Sequence, residues 1–177
     1  MRRLGVHFTV AAALALAACS TAPSLPVPPG AARASFVDTA GKPLGMAVLV
    51  PQSEGVMVRM DLAHLPPGTH GFHIHTTGRC DPPQFQTAGG HFNPTGKQHG
   101  SMNPQGKHLG DLPNLDVPAN GRVKLAVLAP GVTLEGGEAA LLDADGSALV
   151  IHASADDYKT DPSGNSGARI ACAVVRK

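Results

Sequence analysis

Tryptophan is absent from this 177-residue chain, and Phe and Tyr bring the aromatics to only 3%. Its core is therefore expected to be mostly Val, Leu, Ile and Ala. Charge is scarce too, at 15% of residues, with a formal net charge of +1. Setting aside residues 1–18 removes Arg2 and Arg3 and leaves 12 basic against 13 acidic groups, a net of −1. No run of Lys or Arg survives that could track a phosphate backbone, so nucleic acid is excluded as the expected partner. The most apolar stretch, 6–18, is too short to cross a bilayer comfortably. There are only three cysteines, Cys19, Cys80 and Cys172. Gly (21) and Pro (16) are plentiful instead, as expected of a turn-rich β protein.

The N-terminus carries an address. Met1-Arg2-Arg3 followed by the alanine-rich stretch 6–18 reads as an export signal. Leu16-Ala17-Ala18-Cys19 resembles a bacterial lipobox, which predicts cleavage before Cys19 and lipid attachment to it. An ordinary signal peptide that contains a cysteine is the other reading. Ser20 at the next position resembles outer-membrane sorting. Lipidation of Cys19 would explain an odd cysteine count, leaving Cys80 and Cys172 to close as a disulfide in an oxidising compartment or to stay as buried thiols. The segment 19–32, with Pro23, Pro26, Pro28 and Pro29, reads as an extended tether, and one domain is expected over 33–177.

Strand patterns are expected at 33–39, 44–50, 55–62, 71–76, 114–117, 121–128, 148–152 and 168–175. Val56, Val58 and Met60 alternate clearly with Met57, Arg59 and Asp61. Eight short strands punctuated by Gly and Pro predict an all-β, antiparallel barrel that is closed or nearly so. The stretch 132–142 is ambiguous. Segments 77–111 and 153–167 are long and polar, and loops of that length in a compact domain are usually functional. The first holds a near-repeat, Asn93-Pro94-Thr95-Gly96-Lys97 and Asn103-Pro104-Gln105-Gly106-Lys107, whose turn chemistry would deliver His99 and His108.

Six of the nine histidines carry the chemical signal. His73 and His75, one residue apart on a strand, project from one face, with Phe72 and Ile74 on the other. His91, His99 and His108 follow in the first loop, which ends in Asp111. His152 ends a later apolar run. Six imidazoles and one carboxylate, without a thiolate, suit two adjacent metal ions of the copper and zinc kind.

Gly71-Phe72-His73-Ile74-His75, Gly90-His91-Phe92-Asn93-Pro94, Lys107-His108-Leu109-Gly110-Asp111-Leu112 and the run 164–172 (GNSGARIAC) resemble, in order, the signatures of the copper/zinc superoxide dismutases. The likeness extends over about 33–176. It implies an eight-stranded Greek-key β-barrel with a metal-binding loop and an electrostatic-type loop. It implies copper on His73, His75, His91 and His152, zinc on His91, His99, His108 and Asp111, and hence His91 as the bridge. Asp156 matches a carboxylate linking ligands of both metals, Cys80 and Cys172 match the family disulfide, and Arg169 matches the arginine that docks the anionic substrate. The implied reaction is disproportionation of superoxide to dioxygen and hydrogen peroxide, with His91 as proton carrier. The segment from His152 to Arg169 is shorter than in eukaryotic cytosolic members, so steering charges do not map one to one; Lys159 is a substitute to consider. His70 reads as structural and His64 as a loop residue, while His7 leaves with the signal.

These readings amount to a lipid-anchored enzyme on the periplasmic side of a bacterial envelope, with superoxide as its small-molecule partner and its pairing into homodimers left open. A non-catalytic copper/zinc-binding lipoprotein on the same barrel is the alternative. A purely structural envelope protein would leave the ordered ligand set unexplained.

Overall fold

The computed structural model describes residues 25–177. The signal peptide expected over 1–18 and the lipid-attachment site Cys19 lie outside the described residues. Nine strands follow in chain order: β1 (Ala32–Asp38), β2 (Pro43–Gln52), β3 (Gly55–Leu62), β4 (Gly68–His70), β5 (Phe72–His75), β6 (Leu115–Val117), β7 (Val123–Pro130), β8 (Ala148–His152) and β9 (Arg169–Arg176). A single 3-10 turn, Gln86–Ala88, is the only helical element among the described residues.

Alternation builds the sheet. Ala32, Ala34 and Phe36 of β1 enter the core while Arg33 and Ser35 face out; Val56, Val58, Met60 and Leu62 do the same on β3. Between β2 and β3 the chain turns through Ser53 and Glu54, and the register then holds from Gln52↔Gly55 to Gly45↔Leu62. Gly55 is required there: its φ is +155°, and a Cβ would strike the carbonyl oxygen of Ala129 on β7.

Seven strands form one antiparallel sheet in the order β5-β8-β9-β1-β2-β3-β7, and β4 pairs with β6 in a separate ladder. The connections from β3 to β4 and from β7 to β8 cross between distant strands, which is wiring of the Greek-key kind. One core receives Phe72 and Ile74 from the β5 edge, Val123 and Ala129 from the β7 edge, and Leu115 and Val117 from β6, so the sheet curls around it. Each large apolar side chain buried this way contributes about 1.5–3 kcal/mol.

The expected strand 71–76 is β5, and β4 just before it, Gly68–His70, is a strand that the pattern did not predict. Gly71 donates its N–H to Ser154 O at 2.8 Å, and its carbonyl accepts the N–H of His152 at 2.9 Å. The backbone thereby leaves the β4–β6 ladder and joins β8, which separates β4 from β5. The other eight strands correspond to the eight expected, and β4 is additional to them. The start of β7 shifts from 121 to Val123 because Gly121 lies in a turn with φ +68°. The ambiguous stretch 132–142 is a loop closed on itself through a Thr133↔Ala140 bridge.

Strand β8 is buried on both faces. Leu149 and Ile151 enter the barrel core, while Ala148 and Val150 join Phe85, Ala88 and Cys172 in a second cluster outside it. Cys80 and Cys172 are disulfide-bonded, with Cα atoms 5.7 Å apart and a sequence separation of 92 positions. The bond ties the first long loop to β9, over the face where the histidines lie.

Candidate metal centre

The register that sends Phe72 and Ile74 inward turns His73 and His75 outward, opposite Val150 and Ala148 of β8. His152 ends β8, where a register irregularity after Ile151 re-aims it. The loop 77–111 folds over this face. Its two Asn-Pro-x-Gly turns both close, with Gly96 N–H on Asn93 O at 3.3 Å and Gly106 N–H on Asn103 O at 2.9 Å. They then pair with each other through Gln98 N–H to Gln105 O at 3.0 Å, which brings His99 and His108 to the same place. Strand-borne and loop-borne imidazoles thus meet outside the barrel.

His73, His75, His91, His99, His108, His152, Asp111 and Asp156 are all at least nine-tenths buried. Two compact groups emerge, each with its ligand atoms within 4.8 Å of one another: His73, His75, His91 and His152, and His73, His91, His99 and Asp111. The first matches the expected copper set. The second differs from the expected zinc set by carrying His73 in place of His108. Hydrogen bonding separates the two histidines. His73 donates from Nε2 to Asp156 Oδ2 at 2.9 Å, which leaves only Nδ1 free. His108 Nδ1 lies 3.2 Å from Asp111 Oδ1 and 3.4 Å from His91 Nδ1.

Around Asp111 Oδ1 the Nδ1 atoms of His91 (2.9 Å), His99 (3.0 Å) and His108 (3.2 Å) converge. Tetrahedral bonds of about 2.0–2.1 Å place neighbouring ligands about 3.3 Å apart, so this donor set fits zinc with little movement. On the other side, His73 Nδ1 and His91 Nε2 are buried without any hydrogen-bond partner, and His75 Nε2 and His152 Nε2 face each other at 3.4 Å. Buried polar atoms are normally satisfied, and orphaned lone pairs among four imidazoles fit a cation. The opposite ring nitrogens are engaged: His75 Nδ1 donates to Gly89 O (2.9 Å) and His152 Nδ1 to Gly167 O (3.1 Å). Those bonds fix tautomer and ring orientation.

Electrostatics divides the centre the same way. Burial holds His75 well below the ordinary imidazole range, His91 at about 4 and His152 at about 3; neighbouring imidazoles add to this, and Asp111 offsets part of it at His91. His73 is also lowered by burial, against the pull of Asp156. Burial works to lower His99 too, but the carboxylates of Asp111 and Asp156 outweigh it and raise the ring to about 9. Burial would raise both carboxylates; hydrogen bonds from their histidines hold them well below their ordinary range instead.

Asp156 joins the halves, accepting from His73 at Oδ2 and from His99 at Oδ1, both at 2.9 Å. Gly164 makes room for it: its φ is +63°, and a Cβ would clash with Asp156 Oδ1 and lie 2.7 Å from His99 Nε2. Arg169 donates to Phe85 O and Gly89 O, each at 2.6 Å. It lines an open cavity of about 450 Å³ together with His75, His91, His108 and His152. Lys159 is exposed and is not among the lining residues. His70, as expected, faces backbone carbonyls only, at His152 O (2.7 Å) and Pro66 O (2.9 Å).

The model of the family described as copper/zinc superoxide dismutase (SODC) matches residues 44–175. The chain belongs to that family. Superoxide dismutase Cu-Zn 2 of Aquifex aeolicus is 48% identical over 147 residues, spanning 82% of this chain and 86% of that protein. A SOD-like protein from Bacillus subtilis superposes with a TM-score of 0.78 at 46% identity, covering 80% of this chain and 96% of that one. The Cu/Zn superoxide dismutase from Brucella abortus superposes at 0.65 and 30% identity, covering 81% and 98%.

Three parts of the site escape sequence reasoning. The Gly89 carbonyl ties His75 to Arg169. Asn114 exchanges two hydrogen bonds with the backbone of Asp156, at 2.8 and 3.0 Å. Asp161 accepts the N–H of His99 at 2.6 Å. The first is a backbone atom and leaves no mark in side-chain patterns. The others are single polar residues in loops, whose partners lie about 40 to 60 positions away.

Proposed function

We propose that this chain disproportionates superoxide to dioxygen and hydrogen peroxide on the periplasmic side of a bacterial envelope, held there by a lipid on Cys19. The observation that carries the activity is the convergence of the orphaned His73 Nδ1 and His91 Nε2 with His75 and His152, in a cavity that Arg169 also lines. His73, His75, His91 and His152 would hold copper, and His91, His99, His108 and Asp111 would hold zinc. Copper, when bound, supplies the one-electron acceptor and donor through which two superoxide ions exchange an electron.

The rest is done by the protein. Arg169, pinned by two carbonyls, offers its remaining donors and fixed charge to a small anion. His91 has one nitrogen on each half, so its Nε2 can take up a proton while Nδ1 stays with the loop ligands. That proton is then available to the departing peroxide. With 12 basic and 13 acidic groups beyond residue 18, steering comes from local fields rather than net charge.

The test is the second-order rate of superoxide decay with copper- and zinc-loaded protein, before and after copper removal. A rate near the diffusional ceiling of about 10⁹ M⁻¹s⁻¹, lost with the metal, supports the enzyme. Bound metal without acceleration favours the non-catalytic metal-binding reading, which gives Arg169 no role. Arg169→Leu should lower the rate about ten- to hundredfold with metal content unchanged. Location is tested separately: a Cys19→Ala chain that stays wholly with the membrane fraction after a high-salt wash overturns the lipid anchor.

A further inference from the structure

On the outward face of the sheet, β9, β1, β2 and β3 carry a charge pattern of their own, beyond the strands β5 and β8 that hold the metal-centre histidines. Cross-strand register sets Arg176 of β9 opposite Arg33 of β1, Arg33 opposite Val48 of β2, and Val48 opposite Arg59 of β3. These side chains share one face, because Ala32, Ala34, Ala47, Leu49, Val58, Met60 and Val175 on either side enter the core. All three arginines are exposed, yet Val48 between Arg33 and Arg59 is only 1% exposed. Arg33 and Arg176 also line a common groove with Ser35, Val174 and the Cys80–Cys172 disulfide.

Among the described residues, no carboxylate lies within 4.0 Å of any of the three. Asp61, the carboxylate on this face of β3, sits 3.9 Å from Lys124 of β7 instead. Like charges directly opposite across strands destabilise a sheet. A row of them, in a domain with more acidic than basic groups, is charge set apart on one surface.

We propose that the row Arg176-Arg33-Val48-Arg59 is a docking face for the anionic headgroups of a phospholipid membrane. The inference rests on the reading that Cys19 is lipid-anchored, and its place in the chain selects the partner. Arg33 is the second residue of β1, so the segment arriving from Cys19 feeds directly into the row. Ala32 lies thirteen positions after Cys19, a span of about 40 Å at polyproline II extension, so the face can reach the bilayer that holds the anchor. Arg169 and Arg176 stand at opposite ends of β9, about 23 Å apart along the strand, so a docked face leaves the metal cavity open to solvent.

The test uses residues 25–177, which contain the whole described core and which correspond to relatives whose solved chains are 96–98% covered by the match. Lacking Cys19, this piece binds vesicles or fails to do so independently of the anchor. Co-sedimentation with vesicles of phosphatidylglycerol and phosphatidylcholine, against phosphatidylcholine alone, should show binding only to the anionic set, weakened by salt. Each arginine near the surface is worth about fivefold, so the R33Q/R59Q/R176Q protein should bind about a hundredfold more weakly. Rates of superoxide decay in the same proteins should be equal, which shows that the variant is folded. Equal binding to both vesicle types, or no loss in the triple variant, overturns the proposal. So does a shift of the triple variant from dimer to monomer in sedimentation, which would assign the face to a second copy of the chain.

Discussion

The two halves of the metal centre are held in place by different physics. His73, His75 and His152 stand on β5 and β8, and the pairing that positions them also seals Phe72, Ile74 and Ile151 into the core. Their geometry costs nothing beyond folding the barrel. His99, His108 and Asp111 stand on a segment without strands and are gathered by polar contacts. Asp111 accepts from three imidazoles and also from the N–H groups of Gly100 (2.9 Å) and His108 (3.0 Å). A strand half is held by the pairing that builds the barrel, whereas a loop half depends on its carboxylates. The protonation pattern follows: the strand half is neutral and rich in lone pairs, and the loop half carries a charged His99 that must lose a proton to bind a cation.

The largest expected effect is confined to the strand half. His152→Ala should abolish copper-dependent turnover, with the rate falling by more than about 10³-fold, while zinc still binds in full by metal analysis. Loss of zinc along with turnover would mean that the halves are not separable. Next is the joint between them. Asp156→Asn should weaken zinc binding by about 10- to 100-fold in competition with a chelator, and copper binding by less, because β5 pairing holds His73 without Asp156. An equal loss at both sites would show that Asp156, rather than the strand, positions His73.

The metal-free protein sharpens the contrast through pH. His91 and His152, at about 4 and about 3, bind fewer protons folded than unfolded, so stability falls as pH drops below about 6.5. His99, raised to about 9, contributes stability that is complete below about 6.5 and is lost as pH climbs toward 9. Thermal unfolding of chelated protein should therefore show a maximum near neutrality with a decline on each side. His99→Gln should flatten the alkaline decline and leave the acid one. The smallest effect lies in the barrel: Ile151→Val should cost about 0.5–1.5 kcal/mol in denaturant unfolding and leave both metals bound in stoichiometric amount. Metal loss in that variant would mean that the strand half is less rigid than its pairing implies.

Strand periodicity made most of the barrel legible, because period-2 alternation is local and strong in β1 and β3. The break at Gly71 was not legible. It depends on Ser154 and His152, which lie some 80 residues away and capture the glycine's backbone groups. Within the site, His73 and His75 announced themselves through their one-residue spacing, and the paired turns foretold how His99 and His108 arrive together. Asn114, Asp161 and the Gly89 carbonyl did not, since their roles lie in contacts that no short window contains.

Residue chemistry and short-range spacing are properties of the chain alone. They determined an all-β domain, a set of six imidazoles and one carboxylate suited to two cations, and two cysteines free to pair. What belongs to which ion, which ring nitrogen faces inward, and which arginines stand in a row are relations between residues far apart in sequence. Only the curl of the sheet and the fold of the loops decided those, because direction and distance in space arise when the core closes and the backbone hydrogen bonds are shared out.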